Sequence, residues 1–591
     1  MEAVQWQPDG TPRSARFDDI YRPASGGLEQ ARHVFLHGCG LPQAWAGRAQ
    51  WRILETGFGL GLNFLAAWQA WKDDPQRPRI LHFVSVEAWP VRAQDLVRSA
   101  AAYPALAPLA HELASRWFGL TPGAHRLAFE QGRVLLTLHV RDARDMLRGE
   151  PFVADCVFLD GFDPQRNPEI WDEATLKAMA RHVRRGTRLA TWTASGQVRR
   201  TLAACGFDVH KAEGLPPKRH CTRAVFEPRW EPKGKVGEPA RPTGRCIVIG
   251  AGLAGAAAAA SLARRGWNVS VLDAGEAPAA GASGLPVGLL APHTSPDDNV
   301  LSRLSRCGVR QTLQEARERL EQERDWRPTG ALEIRPAEDP PRYPAEQGYA
   351  DWQSPAHADD GRPATWHARS AWVRPAALVR AWLGSPGVEW HGRSRAVRLG
   401  KTDAGWQLGD SEGREFDADI VIVAAALGAR ELLGERLALN AVRGQIAWGV
   451  QHALLPAPVF PVNGNGHFIP GVPFEEGTAW YCGSTYGRGD EDVAIRPEDT
   501  RANLERLASL LPAVAAAIDP GSARAWAGVR CTSSDRRPLV GEIEPGLFVS
   551  TAMGSRGLTF CVLAAELLAA RLHAEPLPLD ARLAQAIDAR R

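Results

Sequence analysis

Several features that mark particular classes of protein are missing from this sequence of 591 residues. No run of about 18 apolar residues occurs, as a membrane-spanning helix would need, and the polar start has no apolar segment typical of a signal peptide. The nine cysteines are scattered and form no CxxC pair, so neither a disulfide framework nor a structural zinc site is indicated. We therefore expect a cytoplasmic protein with no membrane attachment, no metal and no obligate protein partner.

Lysine is scarce, with seven residues among the 70 basic ones, so arginine abundance alone carries no functional argument. The charge is unevenly spread: residues 1–243 carry 33 basic and 26 acidic side chains, whereas residues 244–591 carry 37 and 41. A polyanionic partner would favour the first part, although chance variation explains the difference equally well. Apolar residues at 45% and charged residues at 23% are average for folded globular proteins, which excludes wholesale disorder.

A chain of this length has room for about three or four domains of typical size. The segment 227–245, EPRWEPKGKVGEPARPTGR, is rich in proline, glycine and charge and has no apolar periodicity, as is usual for a linker. On each side of it, an apolar strand runs into a glycine-rich turn and then into a helical pattern. We therefore predict two different α/β domains of the nucleotide-binding type, at 1–235 and 244–591, with a linker at 236–243.

In the first half, WRILETGFGLGLNFLAAW predicts a strand, a glycine-rich loop and a helix. Glycines permit a tight turn and close approach of a ligand, and the helix N-terminus offers free amide donors. The next strand ends in Glu87, where a carboxylate can accept both hydroxyls of a ribose. An ordinary strand-to-helix turn is the alternative interpretation. The candidate cofactor-binding residues of this loop are Glu55, Gly57, Gly59 and Gly61.

Two further acidic residues follow later strands of this half. Asp142, after LLTLHV, is placed either to meet an adenine edge or to cap the next helix. Asp160 ends the strand in DCVFLDGFDPQRNPEIW and precedes a loop that contains Phe162 and Trp171. In open α/β sheets the ligand crevice lies at the carboxyl ends of the strands, so Asp160 is a candidate for chemistry.

The segments LETGFGLGLNFL, VEAWP and LDGFDPQRNPEIW resemble the S-adenosylmethionine-dependent methyltransferase half of the bifunctional tRNA 5-methylaminomethyl-2-thiouridine biosynthesis proteins, the MnmC family. The resemblance spans most of residues 11–226. It implies a Rossmann-like class I methyltransferase fold and methyl transfer to the amine of a 5-aminomethyl group on the wobble uridine of tRNA. It assigns the glycines to the methionine and ribose part of the cofactor, Glu87 to the ribose, Asp142 to the adenine, and Asp160 to the cofactor amino group or the incoming amine.

Methyl transfer needs a neutral amine, and a free alkylamine is mostly protonated at neutral pH. The loop around Phe162 and Trp171 could supply a desolvating pocket, and Asp160 could either accept a proton or orient the amine. Lys218 and Arg219, in GLPPKRHCTRAVF, stand where the family has a basic pair near the nucleic acid; a solvated basic turn is an equally good interpretation.

The second half opens with GRCIVIGAGLAGAAAAASLARRGWNVSVLDAGE. It combines a buried strand, the GxGxxG glycines Gly250, Gly252 and Gly255, an alanine-rich helix, a second strand and Asp273. The acid follows the first glycine by 23 positions, close to the roughly 20 expected for a residue that holds a ribose. This pattern predicts a dinucleotide site, with helix and strand packing as the weaker alternative.

Later segments resemble the D-amino-acid oxidase class of FAD enzymes, close to glycine and sarcosine oxidases. They are GASGLPVGLLAPH with Ser283 and Gly284, DADIVIVAAALGA with Gly428, GVRCTSSDRRPLVG, and MGSRGLTFCVLAAELLA. The resemblance implies FAD rather than NAD, a Rossmann-type FAD-binding domain, and a mixed α+β substrate cap at roughly 301–370 and 436–520. We expect Tyr481 and Tyr486, in WYCGSTYG, to pack in a core.

The resemblance also implies roles near the flavin. Arg530 matches a position where glycine-oxidase-like enzymes carry an arginine, whose planar fork suits a substrate carboxylate. Gly554, Ser555 and Gly557 begin a helix whose positive end could stabilise the reduced flavin. Arg556 either adds to this charge or forms an ion pair with Asp535.

The second half of the MnmC family is similar over residues 244–580. This implies oxidative removal of the carboxymethyl group from 5-carboxymethylaminomethyl(-2-thio)uridine, which would make the substrate of the first half. Two alternatives stay open: a non-catalytic RNA-binding first half beside an FAD enzyme, and an oxidase of free amino acids that is indifferent to RNA.

Overall fold

The structure is a computed structural model that describes residues 2–22, 26–216, 218–231, 240–335, 348–475 and 477–591. It divides into two compact units. The first comprises 1–241, 346–348 and 570–581, and the second comprises 242–345, 349–569 and 582–591. Part of the predicted linker and part of the predicted cap, residues 236–239, 336–347 and 476, lie outside the described residues. The predicted domain and cap limits therefore stay predictions.

The strands of the first unit form a small antiparallel sheet and one main sheet. The small sheet consists of β1 Val4–Trp6, β2 Pro12–Ser14 and β3 Asp19–Ile20. The main sheet consists of β4 Gln50–Glu55, β5 Ile80–Val86, β6 Gly123–Phe129, β7 Val134–Val140, β8 Cys156–Phe158, β9 Arg188–Thr191, β10 Phe207–Glu213 and β11 His220–Phe226.

The main sheet has the order β10-β11-β9-β8-β4-β5-β7-β6. The strands from β9 to β7 in this order run parallel, whereas β6 and β11 are antiparallel to their neighbours. Strand β4 lies between β5 and β8, so the direction of the chain across the sheet reverses at β4, where ligands bind in open sheets. The helices are α1 Gly27–Gln30, α2 Leu62–Asp73, α3 Ala93–Ala100, α4 Ala107–Arg116, α5 Ala143–Gly149, α6 Pro168–Trp171, α7 Glu173–Met179 and α8 Gly196–Ala204.

The core of this unit follows from its sequence pattern. Strands β5 and β7 are buried at every position and are mostly apolar, as expected for sheets covered on both faces. Helix α2 begins directly after Gly61, which has a φ of 74°. The loop before α2 therefore points the first amides of the helix toward the carboxyl ends of the strands.

The second unit contains a parallel sheet with one antiparallel edge strand, a larger mixed sheet and two small sheets. Its first strands are β12 Arg245–Ile249, β13 Asn268–Leu272, β14 Gly288–Leu290, β15 Trp326–Arg327, β16 Ala331–Ile334, β17 Gln353–His357, β18 Pro363–His367, β19 Ala371–Val373, β20 Val388–His391, β21 Ala396–Thr402 and β22 Gly405–Asp410. The remaining strands are β23 Glu415–Ala418, β24 Ile420–Val423, β25 Asn440–Val450, β26 Val462–Gly464, β27 Gly466–Phe474, β28 Gly477–Gly483, β29 Gly487–Arg488, β30 Arg524–Thr532, β31 Leu539–Glu544 and β32 Leu547–Thr551.

The parallel sheet has the order β20-β13-β12-β24-β32-β31. The mixed sheet has the order β17-β18-β16-β26-β27-β28-β25-β29, with β30 also paired to β25. The helices that begin in this part of the chain are α9 Leu253–Arg264, α10 Val300–Arg319, α11 Pro375–Leu383, α12 Ala429–Leu433, α13 Pro497–Leu510, α14 Pro512–Ala516, α15 Gly557–His573 and α16 Ala581–Gln585.

Helix α9 shows why the predicted dinucleotide fold forms. Its alanine-rich sequence, LAGAAAAASLAR, has high helix propensity, and the small side chains let the helix pack closely on β12. The predicted α/β class of both halves is confirmed. In the part of the chain that the structure describes, every helix is too short or too polar to cross a membrane.

Candidate active sites

A cavity of about 910 Å³ lies at the carboxyl ends of β4, β5, β7 and β8 in the first unit. Most of the residues predicted from the sequence line it, whereas Glu55 and Arg219 do not. Those that line it are Gly57, Gly59, Gly61, Glu87, Asp142, Asp160, Phe162 and Lys218.

The glycine-rich loop closes one side of this cavity because side chains are excluded there. Gly59 and Gly61 have φ values of 50° and 74°, and a Cβ on Gly57 would lie 3.1 Å from the backbone oxygen of Asp160. The carboxylate of Glu87 accepts hydrogen bonds from the backbone amides of Gly59, at 3.0 Å, and Trp89, at 2.9 Å. Burial raises the pKa of Glu87. The loop is therefore tied to the end of the next strand.

Asp142 caps the next helix, which is one of the two interpretations that the sequence left open, and its contact with an adenine stays a prediction. Its carboxylate caps α5 by accepting from the amides of Arg144, at 2.8 Å, and Asp145, at 3.2 Å. The residue also lines the cavity. Helix capping fixes the position of the carboxylate at the cavity wall.

Asp160 is held by a network of polar contacts. Its side chain accepts from the Asn63 amide at 2.7 Å and from the backbone amide of Gly161 at 2.9 Å. The Thr56 hydroxyl lies 2.7 Å from its backbone oxygen and 3.0 Å from its backbone nitrogen. Burial raises the pKa of Asp160 to about 6, so the carboxyl changes charge near neutral pH.

Glu55 lies beneath this network. It is fully buried and accepts hydrogen bonds from Ser85, at 2.7 Å, and from Asn63, at 2.9 Å. Burial and the nearby charge of Asp160 raise its pKa well above the usual value. Glu55 therefore holds Asn63, and Asn63 in turn holds Asp160. The predicted contact of Glu55 with the cofactor stays a prediction, because its side chain does not line the cavity.

Aromatic side chains form the opposite wall. Phe162 stacks on Phe17 at 4.8 Å between ring centroids and meets Tyr21 edge-on at 5.0 Å. The ammonium of Lys218 lies 3.1 Å from the centroid of the Trp192 ring, an arrangement that favours the cation. Burial lowers the pKa of Lys218, opposed by the nearby carboxylates. Lys218 thus lines the cavity while it stays exposed to solvent, and its contact with the nucleic acid stays a prediction.

A second cavity, of about 1140 Å³, lies in the second unit. Its lining includes most of the predicted flavin and substrate residues, whereas Gly255 and Gly284 do not line it. Those that do are Gly250, Gly252, Asp273, Ser283, Gly428, Arg530, Gly554, Ser555, Arg556 and Gly557.

The GxGxxG loop has the close packing that its glycines predict. Gly250 has a φ of 110°, and a Cβ there would lie 2.7 Å from the Ala424 oxygen. A Cβ on Gly255 would lie 1.8 Å from the Gly250 oxygen, so Gly255 serves the packing of helix against strand. Asp273 accepts hydrogen bonds from the amides of Ala251, at 2.6 Å, and Gly275, at 2.7 Å.

The Ser283 hydroxyl accepts from the Leu253 amide at 3.0 Å, which ties the second small-residue loop to the start of α9. Gly284 is kept small for a different reason, because a Cβ there would lie 2.8 Å from the backbone oxygen of Ala279. The alternative pair between Arg556 and Asp535 is not seen. Asp535 instead pairs with Arg537 and Arg591.

Arg530, on β30, lines this cavity. It donates to the Ser484 hydroxyl at 2.7 Å and to the Thr485 backbone oxygen at 3.2 Å, and its Cζ lies 4.7 Å from the centroid of the Tyr486 ring. The side chain of His467 lines the same cavity. Burial and the charge of Arg530 lower the pKa of His467 to about 4, so its imidazole is neutral at physiological pH.

The expectation for the two tyrosines is half right. Tyr481 is buried and stacks on Trp448, with ring centroids 5.7 Å apart. Tyr486 is 61% exposed and lines the cavity. Tyr486 lies after the end of β28, where the alternation that buries Tyr481 no longer applies, so the prediction of core packing is wrong for Tyr486.

Comparisons with known proteins identify the families of the two units. Residues 245–571 match the model of the FAD dependent oxidoreductase family, and residues 104–227 match that of an S-adenosyl-L-methionine-dependent methyltransferase family. The tRNA 5-methylaminomethyl-2-thiouridine biosynthesis bifunctional protein MnmC of Polaromonas naphthalenivorans is 51% identical over 99% of this chain and 98% of its own length. The chain belongs to the MnmC family.

The MnmC protein of Delftia acidovorans is likewise 50% identical over 100% of this chain and 99% of its own. Among solved structures, glycine oxidase from Geobacillus kaustophilus aligns with 57% of this chain and 98% of its own, at 20% identity and a TM-score of 0.46. As a member of the MnmC family, the chain is an enzyme with a methyltransferase domain that uses S-adenosylmethionine and an oxidoreductase domain that uses FAD.

The residues present in this chain fit both cofactors. Gly57 and Gly250 line the two cavities and pack against backbone that a Cβ would meet, so no side chain occupies the loop at these positions. Glu87 and Asp273 follow the strands after which ribose hydroxyls are bound in such folds. Sequence analysis missed Asn63, Trp192 and His467. Asn63 lies eight positions after Glu55, on the first turns of α2, and this spacing is the one signal that could have pointed to it.

Proposed function

We propose that this chain completes the modification of the wobble uridine of tRNA in two steps. The second unit converts 5-carboxymethylaminomethyl(-2-thio)uridine to 5-aminomethyl(-2-thio)uridine. The first unit then methylates that amine to 5-methylaminomethyl(-2-thio)uridine. The observation that carries the proposal is that one chain holds two cofactor cavities, one lined by a half-buried arginine and one by a carboxyl whose pKa is raised to about 6. The printed names of the MnmC relatives support it.

In the oxidation step, Arg530 binds the substrate carboxylate, because its planar fork pairs with both oxygens. This places the N-linked methylene at the flavin end of the cavity. FAD, when bound, would supply the hydride acceptor for that carbon. The resulting imine takes up water and releases glyoxylate, and the 5-aminomethyl group stays on the uridine.

In the methylation step, the aromatic wall of Phe162, Tyr21 and Trp192 removes water from the incoming amine and favours its neutral form. S-adenosylmethionine supplies the methyl group from its sulfonium. Asp160 orients the amine and takes up the proton that nitrogen loses as the nitrogen–carbon bond forms and the carbon–sulfur bond breaks. Lys218 and Arg219 stand beside this cavity mouth as candidate contacts to tRNA.

The substrate is tRNA, and we expect the protein to act in the cytoplasm. The test uses purified flavin-loaded protein and tRNA that bears 5-carboxymethylaminomethyl uridine, with nucleoside mass spectrometry as the readout. The 5-aminomethyl form should appear without S-adenosylmethionine, and the methylated form should appear with it. An untouched nucleoside together with flavin bleaching by glycine or sarcosine would make the chain an oxidase of free amino acids instead. Accumulation of the 5-aminomethyl form in both reactions would leave the first unit as an RNA-binding module without catalysis.

A further inference from the structure

The first unit includes a segment from the far end of the chain, residues 570–581. Side chains of the main sheet hold its backbone. The Gln50 amide donates to the His573 oxygen at 2.7 Å, and Arg52 donates to the Ala574 oxygen at 3.0 Å. Arg126 donates to the Pro576 oxygen at 2.7 Å. The segment therefore follows the sheet of this unit up to Asp580.

Asp580 lies beside two other buried residues, His139 at the end of β7 and Glu150 after α5. A ring nitrogen of His139 and one carboxylate oxygen each of Glu150 and Asp580 lie within 4.8 Å of one another. Arg141 brings positive charge to this cluster. Its Nη2 donates to Asp580 at 2.6 Å, to the His139 Nδ1 at 3.0 Å, and to Glu150. The backbone amide of Ala581 donates to the other oxygen of Glu150 at 3.1 Å. The end of the segment is thus bound to both sides of the turn between β7 and α5.

This turn is part of the methyltransferase site. Arg141 and Asp142 are consecutive residues, and both line the cavity of the first unit. Asp142 caps α5, and the family resemblance assigns it to the adenine of the cofactor. Room for the aspartate is provided by Gly123, where a Cβ would lie 2.8 Å from the Asp580 Oδ2.

We propose that Asp580 is a positioning residue for S-adenosylmethionine: by holding Arg141, it fixes the Arg141–Asp142 turn at the wall of the cofactor cavity. Charge-assisted hydrogen bonds of this kind are short and directional, so they restrict a turn more than neutral bonds do. The C-terminal segment thereby serves methylation, although residues 349–569, which directly precede it, belong to the other unit. This role concerns cofactor affinity, so it does not depend on which nucleoside is methylated.

The test is the variant Asp580→Asn in the full, flavin-loaded chain. The affinity for S-adenosylmethionine, measured by calorimetry without tRNA, should weaken by roughly threefold to tenfold. In the methylation assay KM for the cofactor should rise by the same factor with kcat nearly unchanged. The rate of the FAD-dependent reaction should stay the same. Glu544→Gln, which alters an exposed pair with Arg436, is the matched control and should change none of these quantities.

A double-mutant cycle with Arg141→Gln separates positioning from general stability. If Asp580 acts through Arg141, Asp580→Asn should weaken binding little further once Arg141 has been replaced. The proposal is overturned if the two effects on affinity simply multiply, or if Asp580→Asn lowers Tm while the affinity for the cofactor is unchanged. Should Asp580→Asn fold poorly, Asp580→Glu provides the second variant, since it keeps the charge and should retain most of the affinity. An affinity for Asp580→Glu as weak as that of Arg141→Gln would also overturn the proposal.

Discussion

The two units build their cofactor loops in the same way. In the first, the acidic residue at the end of the second strand, Glu87, accepts from the amide of Gly59 in the glycine-rich loop and from the amide two residues further on. In the second, Asp273 accepts from the amide of Ala251 in its loop and again from the amide two residues further on. In each unit a single carboxylate therefore joins the loop to the neighbouring strand and presents itself at the cavity.

The units differ in where the reacting groups come from. Asp160 follows β8 in the same sheet that forms the cofactor loop, whereas Arg530 lies on β30, which pairs with the larger mixed sheet. The carboxyl has a pKa near neutrality, and the guanidinium is a permanent cation. The comparison teaches that the cofactor loop is a local feature, while the chemistry is set by the side chain that each fold brings opposite to it.

The largest effect should come from Asp160. Replacing it with alanine should lower methyl transfer by about 10²- to 10⁴-fold, because the incoming amine loses its acceptor. FAD binding and oxidation should be unchanged, so tRNA should accumulate 5-aminomethyl uridine in nucleoside mass spectrometry. Asp208→Asn, at an exposed position beside His210, is the control. Normal methylation by Asp160→Ala would remove this carboxyl from the site.

The next largest effect should come from Arg530. Arg530→Lys keeps the charge but loses the planar fork, so KM for the carboxymethylaminomethyl substrate should rise by about tenfold to a hundredfold. Methylation of tRNA that already bears the 5-aminomethyl group should proceed at the normal rate. Steady-state kinetics of both reactions on separate substrates provide the measurement. An unchanged oxidation KM would mean that another group holds the carboxylate.

The two reactions should also respond differently to pH. Because the Asp160 pKa is raised to about 6, the carboxyl is neutral below that pH, and its loss of charge should lower methyl transfer about tenfold at pH 5. His467, whose pKa is lowered to about 4, stays neutral from pH 5 to 8 and adds no such change to oxidation. The ratio of the two rates should therefore fall toward pH 5. This limb of the profile should vanish in Asp160→Asn, and its persistence would assign it to another group.

The smallest effects should come from the basic pair. Lys218→Ala removes a cation from the cavity wall, so it should lower kcat of methylation as well as tRNA affinity, each by roughly threefold. Arg219→Ala should change only tRNA affinity. The slope of log affinity against log salt concentration should fall by about one, as for the loss of one phosphate contact. Filter binding at several salt concentrations distinguishes the two. Equal effects on kcat would contradict the different positions of these residues.

The sequence predicts local features of the two sites better than features that depend on distant parts of the chain. Residues that directly follow strands, such as Gly59, Asp160 and Asp273, were predictable because parallel strands end at one edge of a sheet. The burial of Glu55 was not predictable, because burial depends on which other parts of the chain pack against a residue. The contact between Arg141 and Asp580 joins positions 439 apart, and no local pattern encodes it. The exposure of Tyr486 depends on where β28 ends, which is the least certain feature of any strand prediction.

The most direct test of two independent sites in one chain uses two variants that act on the same tRNA one after the other. Asp160→Ala is first incubated with tRNA that bears 5-carboxymethylaminomethyl uridine, and the tRNA is repurified. Arg530→Ala and S-adenosylmethionine are then added. We predict that the first reaction ends at 5-aminomethyl uridine and that the second converts it to 5-methylaminomethyl uridine, although Arg530→Ala oxidises the starting tRNA poorly. If the repurified tRNA is not methylated by Arg530→Ala, the two sites are not separable and the account is wrong.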